Sequence, residues 1–202
     1  MARTQAPDYE QRREAILDQA AKLYAAGGYL GSSIADLAAA CNMSKSLIYH
    51  YYGSKEDILF DLIHSQVRLM LRTARAVASQ ELPPQAKIKE LNRQFMRTLF
   101  SDEARRHRVV LNEVRHLPPP RRKIIVSVER EAVDVVGSIL TELRPKKRLP
   151  EAARWPATMF FFGILNWTYT WFDRKGPLTL EETADFASEI FLNGVERAKA
   201  PG

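Results

Sequence analysis

The chain has 202 residues, of which 46% are hydrophobic, and a formal net charge of +6. This size predicts a well-buried core in one small and one larger domain. The single cysteine, Cys41, excludes an internal disulfide, and the N-terminus MARTQAPDYEQRR lacks the apolar stretch of a signal peptide, so we expect a cytoplasmic protein.

The first predicted helix spans about residues 8–26 and ends at Gly27-Gly28, a helix stop. Its apolar residues recur at helical spacing and predict one buried face. These residues are Ile16, Leu17, Ala20, Leu23 and Tyr24.

A second and a third helix are predicted at about 34–41 and 45–52, joined by a turn at Asn42-Met43. Ser33 precedes the second helix as an N-cap, and Asp36 stands where a capping-box acid reaches back. Ser44 caps the third helix in the same way. Two short helices around a tight turn form a helix-turn-helix.

The third helix has two different sides. Ile48 and Tyr52 lie four residues apart and are expected to point inward. Hydrogen-bonding groups and one aliphatic group occupy the opposite side and its flanks, namely Lys45, Ser46, Leu47, Tyr49, His50 and Tyr51. Such a surface suits the DNA major groove, where polar groups meet base edges and a methyl group meets thymine.

The segment GGYLGSSIADLAAACNMSKSLIYHYYGSKEDIL resembles the N-terminal domain of the TetR family of transcriptional repressors. The resemblance covers about residues 13–62. It implies a repressor that binds a palindromic double-stranded DNA operator as a homodimer. Leu47 departs from the small polar residue of many relatives, so no base preference is carried over.

We expect the DNA-binding residues to be Ser33, Ser44, Lys45, Ser46, Leu47, Tyr49, His50, Tyr51 and Lys55. The resemblance places the Tyr49 hydroxyl on a phosphate. Lys55 opens the fourth helix, where the helix dipole also favours phosphate. Half-buried packing is an equal alternative for Tyr51.

The remaining chain is predicted to be all-α, with no strand-like alternation. Further helices are expected at about 54–79, 85–100, 104–116, 120–143, 151–172 and 180–198. We therefore predict a helix-turn-helix domain at 1–53 and an effector-binding and dimerisation domain at 54–202.

Residues 155–172 carry no charge, which raises the alternative of a membrane span. Pro156, Asn166 and the short length argue against it, so we expect no membrane contact and a buried helix instead. The last helix has an apolar face, and the resemblance implies that the last two helices form the dimer interface. This face comprises Ala184, Ala187, Ile190, Phe191, Gly194 and Val195.

The positive charge lies in the middle of the chain. Residues 1–60 carry a net −1, residues 61–150 a net +9 and residues 151–202 a net −2. A solvated surface explains this excess, and so does attraction of a polyanionic effector.

The region LNEVRHLPPPRRKIIVSVEREAVDVV, with FFGILNWTYTWFDRKGPLT, resembles the effector domain of TetR relatives that respond to acyl-coenzyme A thioesters. This implies a small-molecule effector of the acyl-CoA class from fatty-acid or aromatic-acid breakdown; a neutral hydrophobic compound of the multidrug or lipid type is the alternative. The expected effector-binding residues are Phe95, Met96, Leu99, Asn112, Arg115, Met159, Phe162, Asn166 and Tyr169.

An enzyme is not expected. The four histidines lie in no metal-ligand spacing, and no glycine-rich phosphate loop occurs in the sequence. Glu113 and His116, three residues apart, favour ordinary pairing over metal binding. We therefore predict no catalytic residues, no metal and no cofactor.

Overall fold

The computed structural model describes residues 7–100, 104–143 and 151–198. Helices joined by turns and loops make up these ranges, without a strand among them, which confirms the all-α prediction. A 3₁₀ turn at Val114–His116 follows the sixth helix. The helices are α1 Pro7–Gly31, α2 Ile34–Ala40, α3 Lys45–Tyr51, α4 Lys55–Ala78, α5 Pro84–Phe100, α6 Ala104–Glu113, α7 Pro119–Glu142, α8 Glu151–Thr168 and α9 Leu180–Arg197.

Short-range hydrogen bonds explain where several helices begin. Ser33 and Asp36 form a complete capping box at α2, and Thr179 and Glu182 form another at α9. The hydroxyl of Ser54 accepts from the amide of Asp57 at 3.0 Å and donates to its carboxylate. The box at α2 was predicted, and all three caps join residues only three apart in the sequence.

Two helix ends differ in detail from the sequence prediction. Helix α1 continues to Gly31, but it is kinked at Gly28, whose φ of 74° suits only glycine. The predicted stop is therefore present as a kink. Helix α8 ends at Thr168 instead of residue 172, in a turn where the amides of Thr170 and Trp171 donate to the carbonyls of Trp167 and Thr168.

The described residues divide into two compact units, and the division falls within α4 and within α7. One unit holds residues 7–68 and 104–126, and the other holds 69–100, 127–143 and 151–198. The first unit thus includes α6 and the start of α7 in addition to the helix-turn-helix. The predicted domain boundary at 53/54 stays a prediction.

In the first unit, α6 packs along α1. Arg106 on α6 is 6% exposed and pairs with Glu14 at 2.7 Å and Asp18 at 2.5 Å. Val109 and Val110 are buried on the same helix. The buried core of this unit includes Ile16, Leu17, Ala20, Tyr24, Leu37, Ile48, Ile58, Leu59, Leu62 and Ile63.

In the second unit, α5 and α9 run antiparallel and α8 packs beside both. Phe161 of α8 meets Phe191 of α9 edge-to-face, with ring centroids 5.5 Å apart. The core draws on α4, α5, α7, α8 and α9 and contains Ala74, Val77, Ile88, Leu91, Phe95, Met96, Val136, Ile139, Leu140, Phe161, Leu165, Ala184 and Phe191.

The expectation that α8 is buried on all sides is wrong for the single chain. Phe160 is 69% exposed and Trp167 is 67% exposed, while Phe161 and Leu165 face the core. The helix therefore has one buried and one open apolar side. The expected apolar face of α9 is divided in the same way: Ala184, Phe191 and Val195 are buried, whereas Ile190 is exposed.

Candidate nucleic-acid interface

The turn between α2 and α3 has the geometry that the sequence predicts. Asn42 adopts a left-handed φ of 53°, a conformation that asparagine tolerates better than most residues. The amide of Met43 donates to the carbonyl of Ala38 at 2.8 Å, which closes the turn. Ser44 then caps α3 by accepting from the amide of Leu47 at 3.1 Å.

The inward side of the motif is closely packed. Leu37, Ala38, Ile48 and Tyr52 are all buried. The Tyr52 hydroxyl donates to the Asp61 carboxylate of α4 at 3.0 Å, and burial raises the pKa of this phenol. Arg13 of α1 pairs with the same carboxylate and lies over the Tyr52 ring.

This cluster of Arg13, Tyr52 and Asp61 ties the C-terminal cap of α3 to α1 and α4. Sequence reasoning predicted that Tyr52 points inward but missed its two partners, because they lie 39 and 9 positions away. A rigid support is what a reading helix needs, since base contacts require fixed side-chain positions.

The outward side of α3 displays the residues predicted to contact DNA. Lys45, Ser46, Tyr49 and His50 are exposed, and Leu47 is partly exposed. The hydroxyls of Ser44 and Ser46 share a hydrogen bond of 2.9 Å. The chain thus presents a cation, hydroxyls, an imidazole and an aliphatic group on one short helix.

Tyr51 is half-buried against α1. Its ring lies 4.9 Å from the ring of Tyr9 and 5.3 Å from that of His50. Tyr9 was missed by the sequence analysis, and the only signal for it is an aromatic residue in the first turn of an otherwise polar helix start. The packing alternative for Tyr51 therefore has direct support.

Ser33 and Lys55 are engaged inside the protein. The Ser33 hydroxyl donates to Asp36 at 2.7 Å and accepts from the Asp36 amide. The Lys55 ammonium donates to the backbone carbonyls of Tyr29 and Ser32, and it lies 4.1 Å from the centre of the Tyr29 ring.

Burial lowers the pKa of Lys55, with the Asp36 carboxylate opposing that shift. These contacts give Lys55 a structural role at the end of α1, and the phosphate contact expected from its position at the start of α4 stays a prediction. The physical reason is that carbonyls at the C-terminal end of a helix lack intrahelical donors, and Lys55 donates to the carbonyl of Tyr29 in the last turn of α1 and to that of Ser32 just after it.

Two family models match the chain. Residues 16–62 match the model of bacterial regulatory proteins of the tetR family, and residues 81–195 match that of the tetracyclin repressor-like C-terminal domain. The chain belongs to the TetR family. It is therefore a DNA-binding transcriptional regulator, and α2 and α3 are its helix-turn-helix.

Among solved structures, a TetR-family regulator from Bordetella parapertussis 12822 is similar, with a TM-score of 0.84, 32% identity and 94% and 98% of the two chains covered. AibR in complex with isovaleryl coenzyme A and operator DNA has a TM-score of 0.79 at 25% identity, over 89% of this chain and 97% of AibR.

Curated relatives match mainly at the N-terminus. The regulator HbdR of Aromatoleum sp. strain CIB is 37% identical over 76 residues, which is 38% of this chain and 30% of HbdR. The chain thus aligns with about a third of the length of the first such relatives. The repressor KstR2 of Mycobacterium tuberculosis is 23% identical over 92% of this chain and 94% of KstR2.

The predicted effector residues fall into different surroundings in this TetR-family chain. Phe95, Met96 and Leu99 are at most 2% exposed and belong to the buried core of the second unit. Phe162 stacks on Phe95 at 6.1 Å and is partly exposed. Met159, Asn166 and Tyr169 are also partly exposed.

Asn112 and Arg115 belong to the first unit, and both are exposed. The Asn112 amide donates to the carbonyl of Arg108 at 3.0 Å, and Arg115 donates to His116 at 3.3 Å. His116 also approaches Glu113 at 3.4 Å, in the ordinary pairing that the sequence favoured. The effector-binding set as a whole stays a prediction.

Part of the central positive charge is neutralised by carboxylates. Arg106 pairs with Glu14 and Asp18, and Arg121 pairs with Glu56 and Asp57. In the second unit, Arg75 pairs with Glu131, and α9 acids pair with Lys89, Arg93 and Arg97. The basic run at 144–148 lies outside the described residues.

A small pocket of about 130 Å³ lies on the second unit, lined by Val133, Asp134, Arg154, Trp155 and Thr158. Across the described ranges, no three His, Cys, Asp or Glu side chains gather as a metal site. None of the described helices has the length and hydropathy needed to cross a bilayer.

Proposed function

We propose that this chain is a cytoplasmic repressor that binds an inverted-repeat operator as a homodimer and leaves it when an acyl-CoA thioester binds. The observation that carries the DNA-binding part is the two-sided α3. Ile48 and Tyr52 are buried, while Lys45, Ser46 and His50 are displayed to solvent. A short helix held this firmly, with polar groups outward, fits the major groove.

The proposal of a homodimer rests on the open apolar side of α8 and α9. Large exposed apolar surfaces on a folded chain mark protein interfaces. A Cβ added at Gly163 or Gly194 would meet nothing within 4 Å. Each helix therefore has an open glycine position on its surface, where another helix could approach closely. The surface, which we call the α8/α9 face, comprises Phe160, Gly163, Trp167, Phe186, Ile190 and Gly194.

Two copies are also needed for specificity. One seven-residue helix contacts few base pairs, whereas two copies related by a twofold axis read two half-sites and about double the binding free energy. The operator is therefore expected to be an inverted repeat.

The proposed acyl-CoA effector is supported by AibR, which is similar over most of its length and whose structure contains isovaleryl coenzyme A. The charge on α6 also supports it. Arg105, Arg108 and Asn112 recur at helical spacing on α6, and Arg115 follows in the 3₁₀ turn; Arg108, Asn112 and Arg115 are exposed. None of these three arginines pairs with a carboxylate of the described residues, so their charge is available to attract the phosphates of a nucleotide.

The test begins with selection of a duplex from a random library, followed by fluorescence anisotropy of that duplex. We expect an inverted repeat to be enriched and isovaleryl-CoA or decanoyl-CoA to release it, whereas CoA and the free acids do not. If only uncharged hydrophobic compounds release the duplex, the effector is a neutral hydrophobic compound and the proposal of an acyl-CoA is wrong. Equal binding of unrelated duplexes would show that binding is not sequence-specific and would contradict the proposed operator.

A further inference from the structure

Gln66 is a buried amide whose nitrogen has no hydrogen-bond partner in the part of the chain that the structure describes. It lies on α4 and is 2% exposed. Its Nε2 reaches no acceptor in the described structure. Its helix neighbours Ile63 and Val67 are buried hydrophobic residues. A buried N–H without an acceptor destabilises the fold, because the group has lost its water and gained nothing in return.

A second buried amide shows the difference. Asn92 on α5 is 3% exposed, and its Nδ2 donates to the carbonyl of Ala184 at 2.7 Å and to the hydroxyl of Ser188 at 2.8 Å. The Asn92 nitrogen thus links two helices through acceptors that the fold supplies, while it is the Asn92 oxygen that has no partner among the described residues. The amide nitrogen of Gln66 has no such acceptor, so a linking role does not explain it.

The position of Gln66 along α4 gives it a route to the reading helix. Asp61, five residues earlier, receives hydrogen bonds from Arg13 of α1 and from Tyr52 at the end of α3. A displacement of α4 near Gln66 therefore acts on the helix that supports α3.

We propose that Gln66 recognises the effector by donating a hydrogen bond from Nε2 to the acyl carbonyl oxygen. This inference rests on the proposed function. A neutral acceptor is the expected partner because the buried helix neighbours of Gln66, Ile63 and Val67, are apolar and carry no charge for a carboxylate. Since Gln66 is covered in this structure, the effector must displace its surroundings.

The unpartnered amide then contributes to the switch. It is unsatisfied in the covered state and satisfied in the effector-bound state. A ligand shifts an equilibrium only by its difference in affinity for the two states, and this hydrogen bond supplies such a difference.

The test compares the wild type with Gln66→Leu and Gln66→Met, which keep the volume and remove the amide. In the DNA-free protein, we expect both substitutions to raise Tm by a few degrees. Both should bind the selected duplex within about twofold of the wild type. Asn92→Leu is the matched control, and it should lower Tm because that amide is hydrogen-bonded.

The effector measurement uses isovaleryl-CoA and its thioether analogue S-isopentyl-CoA, which lacks the carbonyl. With the wild type, the thioether should need at least a tenfold higher concentration to release the duplex. With Gln66→Leu, isovaleryl-CoA should be weakened by a similar factor, and the two compounds should no longer differ.

A lower Tm in both Gln66 variants would show that the amide is structural and would overturn the inference. Unchanged release by isovaleryl-CoA in Gln66→Leu would overturn it too, while leaving the proposed function intact. Failure of isovaleryl-CoA and decanoyl-CoA to release the wild type would instead overturn the proposed effector, and with it the ligand assigned to Gln66.

Discussion

The Arg93 guanidinium on α5 forms a two-point ion pair with the Asp185 carboxylate on α9, with Nε 2.6 Å from Oδ1 and Nη2 2.7 Å from Oδ2. One turn away on either side, Lys89 pairs with Glu189 and Arg97 pairs with Glu181. The regular spacing fixes the register of the two antiparallel helices. It also removes three cations from the charge available to an anionic ligand.

Removing one partner of this ion pair should lower stability only modestly, because both side chains are more than a third exposed. We expect Arg93→Leu or Asp185→Asn to cost about 0.5–1 kcal/mol. Urea unfolding of the two single variants and the double variant measures the coupling. Arg72→Leu, at an exposed arginine of α4, is the control and should change stability less. Additive effects of the two substitutions would contradict a direct interaction.

His50→Ala should reduce discrimination between the selected operator and unrelated duplexes by about 1–3 kcal/mol, the usual range for one base contact. His50 is exposed, so the fold should be retained. Competition anisotropy with operator and scrambled duplexes measures the ratio. Gln80→Ala, at an exposed residue after α4, should leave the ratio unchanged. If His50→Ala keeps the wild-type ratio of operator to scrambled affinity, His50 does not contact a base.

Lys55 and Lys45 should behave differently when the salt concentration varies. Lys55→Met removes the donor to the Tyr29 and Ser32 carbonyls and should cost about 1–2 kcal/mol of stability. The salt dependence of DNA binding should stay unchanged. Lys45→Ala should leave stability unchanged but weaken the salt dependence of DNA binding. The slope of log affinity against log salt concentration should fall in magnitude by about one per reading helix. A weaker salt dependence of DNA binding in Lys55→Met would show that Lys55 contacts a phosphate.

Acid should destabilise the fold through Asp57 and Asp185. Hydrogen bonds from Ser54 and then Arg121 lower the pKa of Asp57, and hydrogen bonds from Arg93 lower that of Asp185. A carboxyl with a lower pKa in the folded chain binds fewer protons there than in the unfolded chain. Its contribution is therefore present above the unfolded pKa of about 4 and is lost as the pH falls below it.

Thermal unfolding between pH 7 and pH 3 checks this dependence. Asp57→Asn should lower Tm at pH 7 and lose less Tm than the wild type on acidification. Glu142→Gln, at an exposed residue of α7, is the control and should follow the wild type. Parallel curves for Asp57→Asn and the wild type would show that Asp57 does not contribute to the acid loss.

Charge introduced on the α8/α9 face should separate the proposed dimer. Phe186 is 58% exposed in the single chain, so Phe186→Glu should fold normally but should not tolerate burial against a second copy. Sedimentation equilibrium should shift from dimer to monomer, and operator affinity should fall by more than tenfold. Lys175→Glu in the exposed loop before α9 should remain dimeric. A dimer with Phe186→Glu would place the interface elsewhere.

The helix-turn-helix could be predicted from the sequence because its determinants are local. Ser33 and Asp36 are three residues apart, and Ile48 and Tyr52 are four apart, so capping and the buried face follow from helix geometry alone. Family membership followed from the same stretch, and the family models confirm it.

The sequence misjudged residues whose role depends on distant partners. The central basic segments gave no sign that Arg106 pairs with Asp18, 88 positions away, or that Arg93 pairs with Asp185, 92 positions away. The apolar run of α8 indicated full burial, but it offers one side to the core and leaves the other open. The apolar pattern of the sequence alone does not tell which side of the helix packs on the core of its own chain.

By itself, the sequence determined which segments are helical, where their caps lie and which side of α3 is turned outward, since these depend on interactions within about one helical turn. Only the tertiary structure decided that Lys55 binds backbone carbonyls, that Asp61 supports α3 through Tyr52, and that the amide nitrogen of Gln66 finds no partner among the described residues. Those facts depend on atoms that packing brings together, or fails to bring together, from different helices.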